Sequence, residues 1–343
     1  MLNNFERYHC QISLPGFGAD GQACLQKASV LIVGVGGLGC PAAQYLTAAG
    51  IGTIGIADSD IVSENNLHRQ ILFSPADIGF SKVEVAAKKL QQLNPLVRII
   101  PFNDRVTSSN VLALINSFDL VIDGTDNFET KYLLNDACVL LGKPLVYGAI
   151  YQYEGQVSVL NVPQKDGAYS PNYRDIFPNV EQAEIPNCAS GGVIPTLAGV
   201  IGSMQANEAI KYFVSPTTLL AGKLWMLNVL SGEARTIQLK TLNKKITSLT
   251  QTIETITFTQ LQTELNKFEL IDVRTPDEHI NFNIGGKNIP LDDLEISFGL
   301  VECNRPVVFY CTTGKRSVLA AAKFKKLMPD ARALSLQDGI SNI

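Results

Sequence analysis

Hydrophobic residues in the first half of the chain fall in short unbroken runs rather than in alternation. "VLIV" at 30–33, the core of "FDLVIDGTDN" and the start of "KPLVYGAI" read as parallel strands covered on both faces. A strand open to water on one side would alternate apolar and polar positions instead. "TIGIAD", ending at Asp58, and "VRIIPF" are two further strands. "SKVEVAAKKLQQLNP" places Val83, Ala86, Ala87, Leu90 and Leu93 at helical spacing, and Pro95 closes it. Another helix is expected over Pro41–Ala49, with Pro41 tolerated in its first turn and Gly50 and Gly52 ending it. Strands alternating with helices predict an α/β fold with a doubly wound sheet, whose ligands bind at the carboxyl ends of the strands. Gly34–Gly39, Asp58 and Asp123–Asn127 all fall at such ends.

From Gln152 to Asn187 the pattern loosens into a turn-rich stretch, expected to be a long functional loop. From Lys240 to Thr259 the chain becomes polar and threonine-rich. Beyond it a smaller α/β pattern follows: "FELIDVR" and "PVVFYC" as strands and "SVLAAAKFKKLM" as a helix. The expected organisation is a first domain over 1–240, a linker over 241–256 and a second domain over 257–343. A chain of 343 residues is long enough for both cores.

Charge and cysteine usage narrow the partners. The net charge is −4 and no basic tract interrupts the sequence, which argues against nucleic acid and anionic membranes. The uncharged stretch Val30–Ala57 has the length of a bilayer span, but its glycines divide it into strand, turn, helix, turn and strand. Cys188–Asn207 reads likewise as a loop entering a buried helix. The seven cysteines form no C-x-x-C pair, so structural zinc is not expected. With no signal-peptide pattern at the start, the cytoplasm is the expected compartment.

Gly34, Gly36 and Gly39 fit G-x-G-x-x-G, the spacing that lays a pyrophosphate on a helix N-terminus. Asp58 follows where a ribose contact is expected. This fingerprint alone fits a nicotinamide dinucleotide as well as other phosphates. "SDIVSENNLHRQ" and "GFSKVE" add Arg69 and Lys82, for which a nicotinamide domain has no use and a nucleoside triphosphate does. Asp126 in "GTDN" is placed either to hold Mg²⁺ or to cap the next helix.

Together, "RYHCQISLPGFGADGQACLQKASVLIVGVGGLGC", "DSDIVSENNLHRQ", "GFSKVEVAAKKLQQLNP" and "DGTDN" resemble the MoeB/ThiF-type adenylyltransferases. These are relatives of the ubiquitin-activating enzymes. The resemblance runs from about Arg7 to about Lys240. It implies a Rossmann-like domain that uses ATP and Mg²⁺ to adenylate the C-terminal glycine of a ubiquitin-like sulfur carrier with a Gly-Gly tail. By position, Gly37 would line the nucleotide pocket and Asp58 would bind ribose. Asn66, Arg69 and Lys82 would contact phosphates, and Asp126 would hold Mg²⁺. A homodimer is implied as well.

Three departures stand out. Cys10 replaces an arginine that, in relatives, reaches the neighbouring subunit's triphosphate. Asn172 and Asp175 occupy the positions of a zinc-binding cysteine pair. Cys188 in "NCASGGVIP" matches a cysteine that some relatives use for acyl or disulfide chemistry.

In the second domain, Cys311 ends an apolar strand and precedes a helix. The loop Cys311–Arg316 has the size to curl its N–H groups around a sulfur atom rather than a phosphate. Arg316 and the helix start favour an anionic sulfur there. With "LIDVRTPDEHINFNIGGKNIPLDDL" this segment resembles the rhodanese sulfurtransferases. In that resemblance Asp272 and Arg274 form a structural turn, and "LQDGISNI" implies an abbreviated last helix. The joint expectation is adenylation followed by sulfur transfer from a Cys311 persulfide, with a cysteine desulfurase as sulfur donor. The products would serve molybdopterin, thiamine or tRNA thiolation. The competing readings are a carrier-binding scaffold that does not adenylate and a nicotinamide oxidoreductase.

Overall fold

The computed structural model describes residues 4–178, 192–242, 246–249, 253–301, 304–337, 339–341 and 343. The chain divides into two compact units, 1–250 and 251–343.

The first unit is built on an eight-stranded sheet. Its strands are β1 (Ser29–Val33), β2 (Thr53–Ala57), β3 (Arg98–Phe102), β4 (Leu120–Asp123), β5 (Leu145–Tyr151), β6 (Glu154–Leu160), β7 (Lys223–Asn228) and β8 (Ala234–Gln238), in the order 3-2-1-4-5-6-7-8. The first five positions in that order are parallel and the last three strands join antiparallel. β1 shows why its apolar run is unbroken. Val30 and Ile32 enter one core, Leu31 and Val33 the other, and all four are buried. Helices α1 (Gly39–Ala49), α2 (Lys82–Leu93) and the late α5 (Pro195–Val214) supply the first core. Helices α3 (Val111–Asn116) and α4 (Phe128–Leu141) supply the second.

Strand order reverses direction between β1 and β4, so the loops leaving those two strands open the crevice where such sheets bind ligands. Both carry the glycine and aspartate motifs. Among the described residues, no helix is long and apolar enough to cross a membrane.

Two expectations need adjustment. Strand β6 lies inside the stretch read as a loosened pattern after Gln152, and the edge strand β8, which pairs with β7, is exposed along its whole length. The linker is also shorter than 241–256. Leu249 packs against the first unit's core, while Glu254–Ile256 forms a strand, β9, of the second sheet.

The second unit holds a parallel five-stranded sheet of β9, β10 (Glu269–Asp272), β11 (Lys287–Asn288), β12 (Val307–Tyr310) and β13 (Ala333–Leu336), in the order 11-10-12-13-9. β12 is central and buried on both faces, and it delivers Cys311 at its carboxyl end. Helices α6 (Pro276–Asn281) and α7 (Lys315–Leu327) flank the loop that follows.

Candidate functional site

The glycine loop between β1 and α1 divides its glycines between two tasks. Gly34 has φ +86°, and a Cβ there would lie 2.8 Å from the Gly124 carbonyl oxygen. A Cβ on Gly39 would lie 2.0 Å from the Gly34 carbonyl oxygen. Gly34 lets the β1 and β4 loops touch backbone to backbone, and Gly39 lets the start of α1 close onto the Gly34 carbonyl. Gly36 faces open room instead, and Gly37 lies close against Ala198 and Arg69. A Cβ on Gly36 would meet only the Gln70 Nε2, at 3.6 Å, and one on Gly37 would approach Ala198 Cβ at 3.2 Å and Arg69 Cδ at 3.5 Å. A cradle at a helix start that fills when a side chain is added fits the phosphates of a nucleotide.

The polar residues named from the sequence converge around this cradle. Asp58, at the end of β2, accepts from the Val35 N–H at 2.8 Å and from the Asp60 N–H at 2.9 Å, which pins it to the glycine loop. Burial pushes its carboxyl above the ordinary value, against the pull of the Lys82 charge and those two N–H groups. Asn66 accepts from Arg69 Nη2 at 2.7 Å, so the two form one unit beside Gly37. Lys82 opens α2 with its side chain only 4% exposed and donates to Asp60 Oδ2 at 2.8 Å. A solvated helix-start lysine is therefore not what the fold makes of it. Asp60 is the residue that the sequence did not single out.

Asp126 is exposed on the β4 loop and accepts no hydrogen bond among the described residues. The capping role falls to its neighbour: Asn127 accepts from the Thr130 N–H at 2.9 Å. Beneath the loop, Asp123 accepts from Lys131 Nζ at 2.8 Å, with the two side chains 1% and 7% exposed. Lys131 also donates to the Gly148 carbonyl, and Asp123 accepts from Thr125 Oγ1 and the Thr125 N–H. A buried ion pair is costly to break one-sidedly. Lys131→Ala is expected to destabilise the first unit by about 3–5 kcal/mol, read from urea unfolding followed by the sole tryptophan, Trp225. A loss below about 1 kcal/mol would show that the pair does not anchor the loop.

Cys40 sits in the fingerprint but is no nucleophile, since burial pushes its thiol up to about 12. Arg7 and Cys10 lie at the opposite end of α1 from the glycine loop. Arg7 donates to the Leu93 carbonyl, Tyr8 OH accepts from Asn94 and packs on Gly50, and Gln11 donates to the Ala49 carbonyl. Asn172 and Asp175 form a helix capping box, and Asp175 also accepts from the Leu242 N–H at 2.6 Å. Cys188 lies outside the described residues.

In the second unit, Cys311 is fully buried and its Sγ lies 3.6 Å from Ser317 Oγ. Ser317 is fixed by the Gly314 carbonyl and by Ser335. The Cys311 and Thr312 carbonyls accept from the N–H groups of Ile340 and Ser341, and a Cβ on Gly339 would lie 2.4 Å from both oxygens. The loop is thus held from outside by the last turn of chain. Among the described residues Arg316 hydrogen-bonds Glu278 and Thr312 rather than the sulfur, although its charge still interacts with Cys311. Its guanidinium grips Glu278 with two bonds of 2.7 and 2.6 Å and donates to Thr312 Oγ1 at 3.2 Å. Alongside, Asp272 accepts from Arg274 and His279. Burial would raise the Asp272 carboxyl, but those donors outweigh it and hold it low.

Arg316 holds the Glu278 carboxyl well below the usual carboxylate range. A folded-state value depressed in this way adds stability above the unfolded value, about 4.3, and the contribution is lost as acid protonates the group. Both side chains are 36% exposed, so the pair contributes about 1 kcal/mol or less. Calorimetric melts should show Glu278→Gln below wild type at pH 7, with the gap closing below about pH 4. A gap unchanged at low pH would contradict the pairing.

A family model described as ThiF family matches residues 8–248, and one for the rhodanese-like domain matches residues 257–343. A sulfur carrier protein adenylyltransferase from Thermus thermophilus is 47% identical over 236 residues, covering 68% of this chain and 87% of that protein. A probable adenylyltransferase/sulfurtransferase MoeZ from Mycobacterium tuberculosis is 40% identical over 359 aligned positions, covering 97% of this chain and 91% of that protein. E. coli MccB, solved with ATP, shares the fold at a TM-score of 0.60 and 21% identity, covering 71% of this chain and 72% of that one. The chain therefore belongs to the ThiF family and carries a rhodanese-like domain after its ThiF domain.

Proposed function

We propose that the first unit adenylates the C-terminal glycine of a ubiquitin-like sulfur carrier and that the second supplies sulfur to the activated carboxyl. The observation that carries this reading is the open room over Gly36 at the start of α1, with Arg69 packed against the neighbouring Gly37 and a buried Lys82 at the start of α2. A carboxylate is a poor electrophile. Its attack on the α-phosphorus of ATP breaks the bond to the β-phosphate, releases pyrophosphate and leaves an acyl adenylate. No general base is needed, because the attacking group is already ionised. The chain's contribution is positioning and charge neutralisation. The start of α1 and the Gly36–Gly37 backbone receive phosphate, Arg69 and Asn66 act as a unit, and Lys82 meets developing charge. Asp58 binds ribose. Asp126, exposed on the β4 loop, would hold Mg²⁺, whose charge would neutralise phosphate.

In the second stage, a persulfide on Cys311 attacks the acyl carbon and expels AMP. The product is an acyl disulfide. A second thiol, Cys188 or an external one, then attacks Cys311 Sγ. A disulfide to Cys311 forms and the carrier leaves as a thiocarboxylate. The persulfide sulfur comes from a cysteine desulfurase. Arg316 serves this loop by fixing Thr312 through Glu278 rather than by touching sulfur. The working assembly is a homodimer. Cys10 leaves that dimer without the arginine its relatives use.

The experiment is ATP–pyrophosphate exchange with Mg²⁺ and each candidate Gly-Gly carrier in turn. Exchange with one carrier supports the reading and names the pathway. Carrier binding without any exchange would leave the first unit a scaffold.

A further inference from the structure

Gln70 follows Arg69 directly and is 4% exposed. Its Oε1 is buried and has no hydrogen-bond partner. Its Nε2 is the single atom that a Cβ on Gly36 would meet, at 3.6 Å, and it donates to no described residue. The side chain is thus a nearly buried carboxamide with an unused donor turned toward the room above Gly36. An unpartnered polar atom inside a protein costs stability, and leucine or methionine would fill the same volume without that cost. Arg69 and Gln70 stand over adjacent glycines of the loop, Arg69 at the closely packed Gly37 and Gln70 at the open Gly36.

We propose that Gln70 is a nucleotide-binding residue whose Nε2 donates to a phosphate oxygen of ATP lying over Gly36. This rests on the nucleotide reading above. A neutral donor at this point adds a directed hydrogen bond without adding charge beside Arg69. It orients the triphosphate so that the α-phosphorus faces the incoming carboxylate.

The test is calorimetric titration of the full chain with ATP and MgCl₂, paired with thermal melts without nucleotide. Gln70→Leu is expected to weaken ATP binding by about 10- to 100-fold, as for a lost hydrogen bond to a charged group. It should raise the melting temperature of the nucleotide-free chain by about 2–4 °C, because the buried orphan is gone. Gln70→Glu keeps the shape and turns a carboxylate toward phosphate, so it should bind more weakly still. That variant also guards against a leucine variant that does not fold. Wild-type binding with unchanged affinity in both variants overturns the assignment of Gln70 alone. A fall in melting temperature that accounts for the lost affinity makes Gln70 structural and likewise overturns it. No ATP binding by wild type overturns the nucleotide reading and this inference with it.

Discussion

Replacing Cys311 with serine is expected to abolish thiocarboxylate formation, by at least on the order of 10³-fold, while leaving ATP–pyrophosphate exchange at the wild-type rate. Serine cannot hold a persulfide sulfur, so the second stage loses its nucleophile altogether. The exchange reaction draws only on the first unit, whose core clusters and sheet contain no residue of the second. The substitution is structurally mild. Cys311 is buried and the hydrogen-bond contact of its thiol among the described residues, Ser317 Oγ, accommodates a hydroxyl equally well. Parallel assays of exchange and carrier mass check it. Loss of both activities would mean that Cys311 supports the fold, and loss of neither would assign sulfur delivery elsewhere.

Lys82→Met is expected to cut carrier-dependent exchange by about 10²–10³-fold, with little change in stability. The two readouts separate charge from packing. Methionine fills the buried stem of Lys82, and the partner that it abandons, Asp60, is 67% exposed and so regains water. The Lys82–Asp60 pair holds the ammonium group in place. Asp60→Asn therefore makes a useful companion. It frees the ammonium group and should change exchange far less than Lys82→Met. Equal losses in both variants would mean that the pair, and not the lysine charge, matters.

How much of this was legible beforehand varies with the range of each interaction. The β1 strand, its glycine loop and α1 were readable because each signal is local: an unbroken apolar run, then glycines, then a helix start. The division of labour among those glycines was not. Gly34 is demanded by backbone packing against Gly124 of the β4 loop, distant in sequence, and Gly39 by the Gly34 carbonyl within its own loop, and G-x-G-x-x-G looks the same whichever glycine is pressed. Strand β8 was not legible because "ARTIQ" is an exposed edge strand with neither alternation nor an apolar run, whereas "EGQVSVL" of β6 and "KLWMLN" of β7 do carry apolar signals.

Ion-pair partners were the hardest to see. Asp60 lies 22 residues before Lys82, and Glu278 lies 38 residues before Arg316. "TPDE" does carry a visible signal for Glu278, since Thr275 with glutamate three residues on is a capping box, and the structure contains it. The signal announces a helix start but says nothing of Arg316. The Asp123–Lys131 pair was illegible for a different reason: a strand end and a helix 8 residues apart in sequence carry no pairing signature, although the buried pair shapes the loop that presents Asp126.

The central claim is that one chain both activates a carrier and sulfurates it. The direct measurement is the intact mass of a Gly-Gly carrier after incubation with the full chain, ATP, Mg²⁺, a cysteine desulfurase, cysteine and a thiol reductant. The account predicts a gain equal to the replacement of one oxygen by sulfur, dependent on ATP and lost with Cys311→Ser. A carrier of unchanged mass, despite active exchange and a sulfur-loaded Cys311, would contradict it.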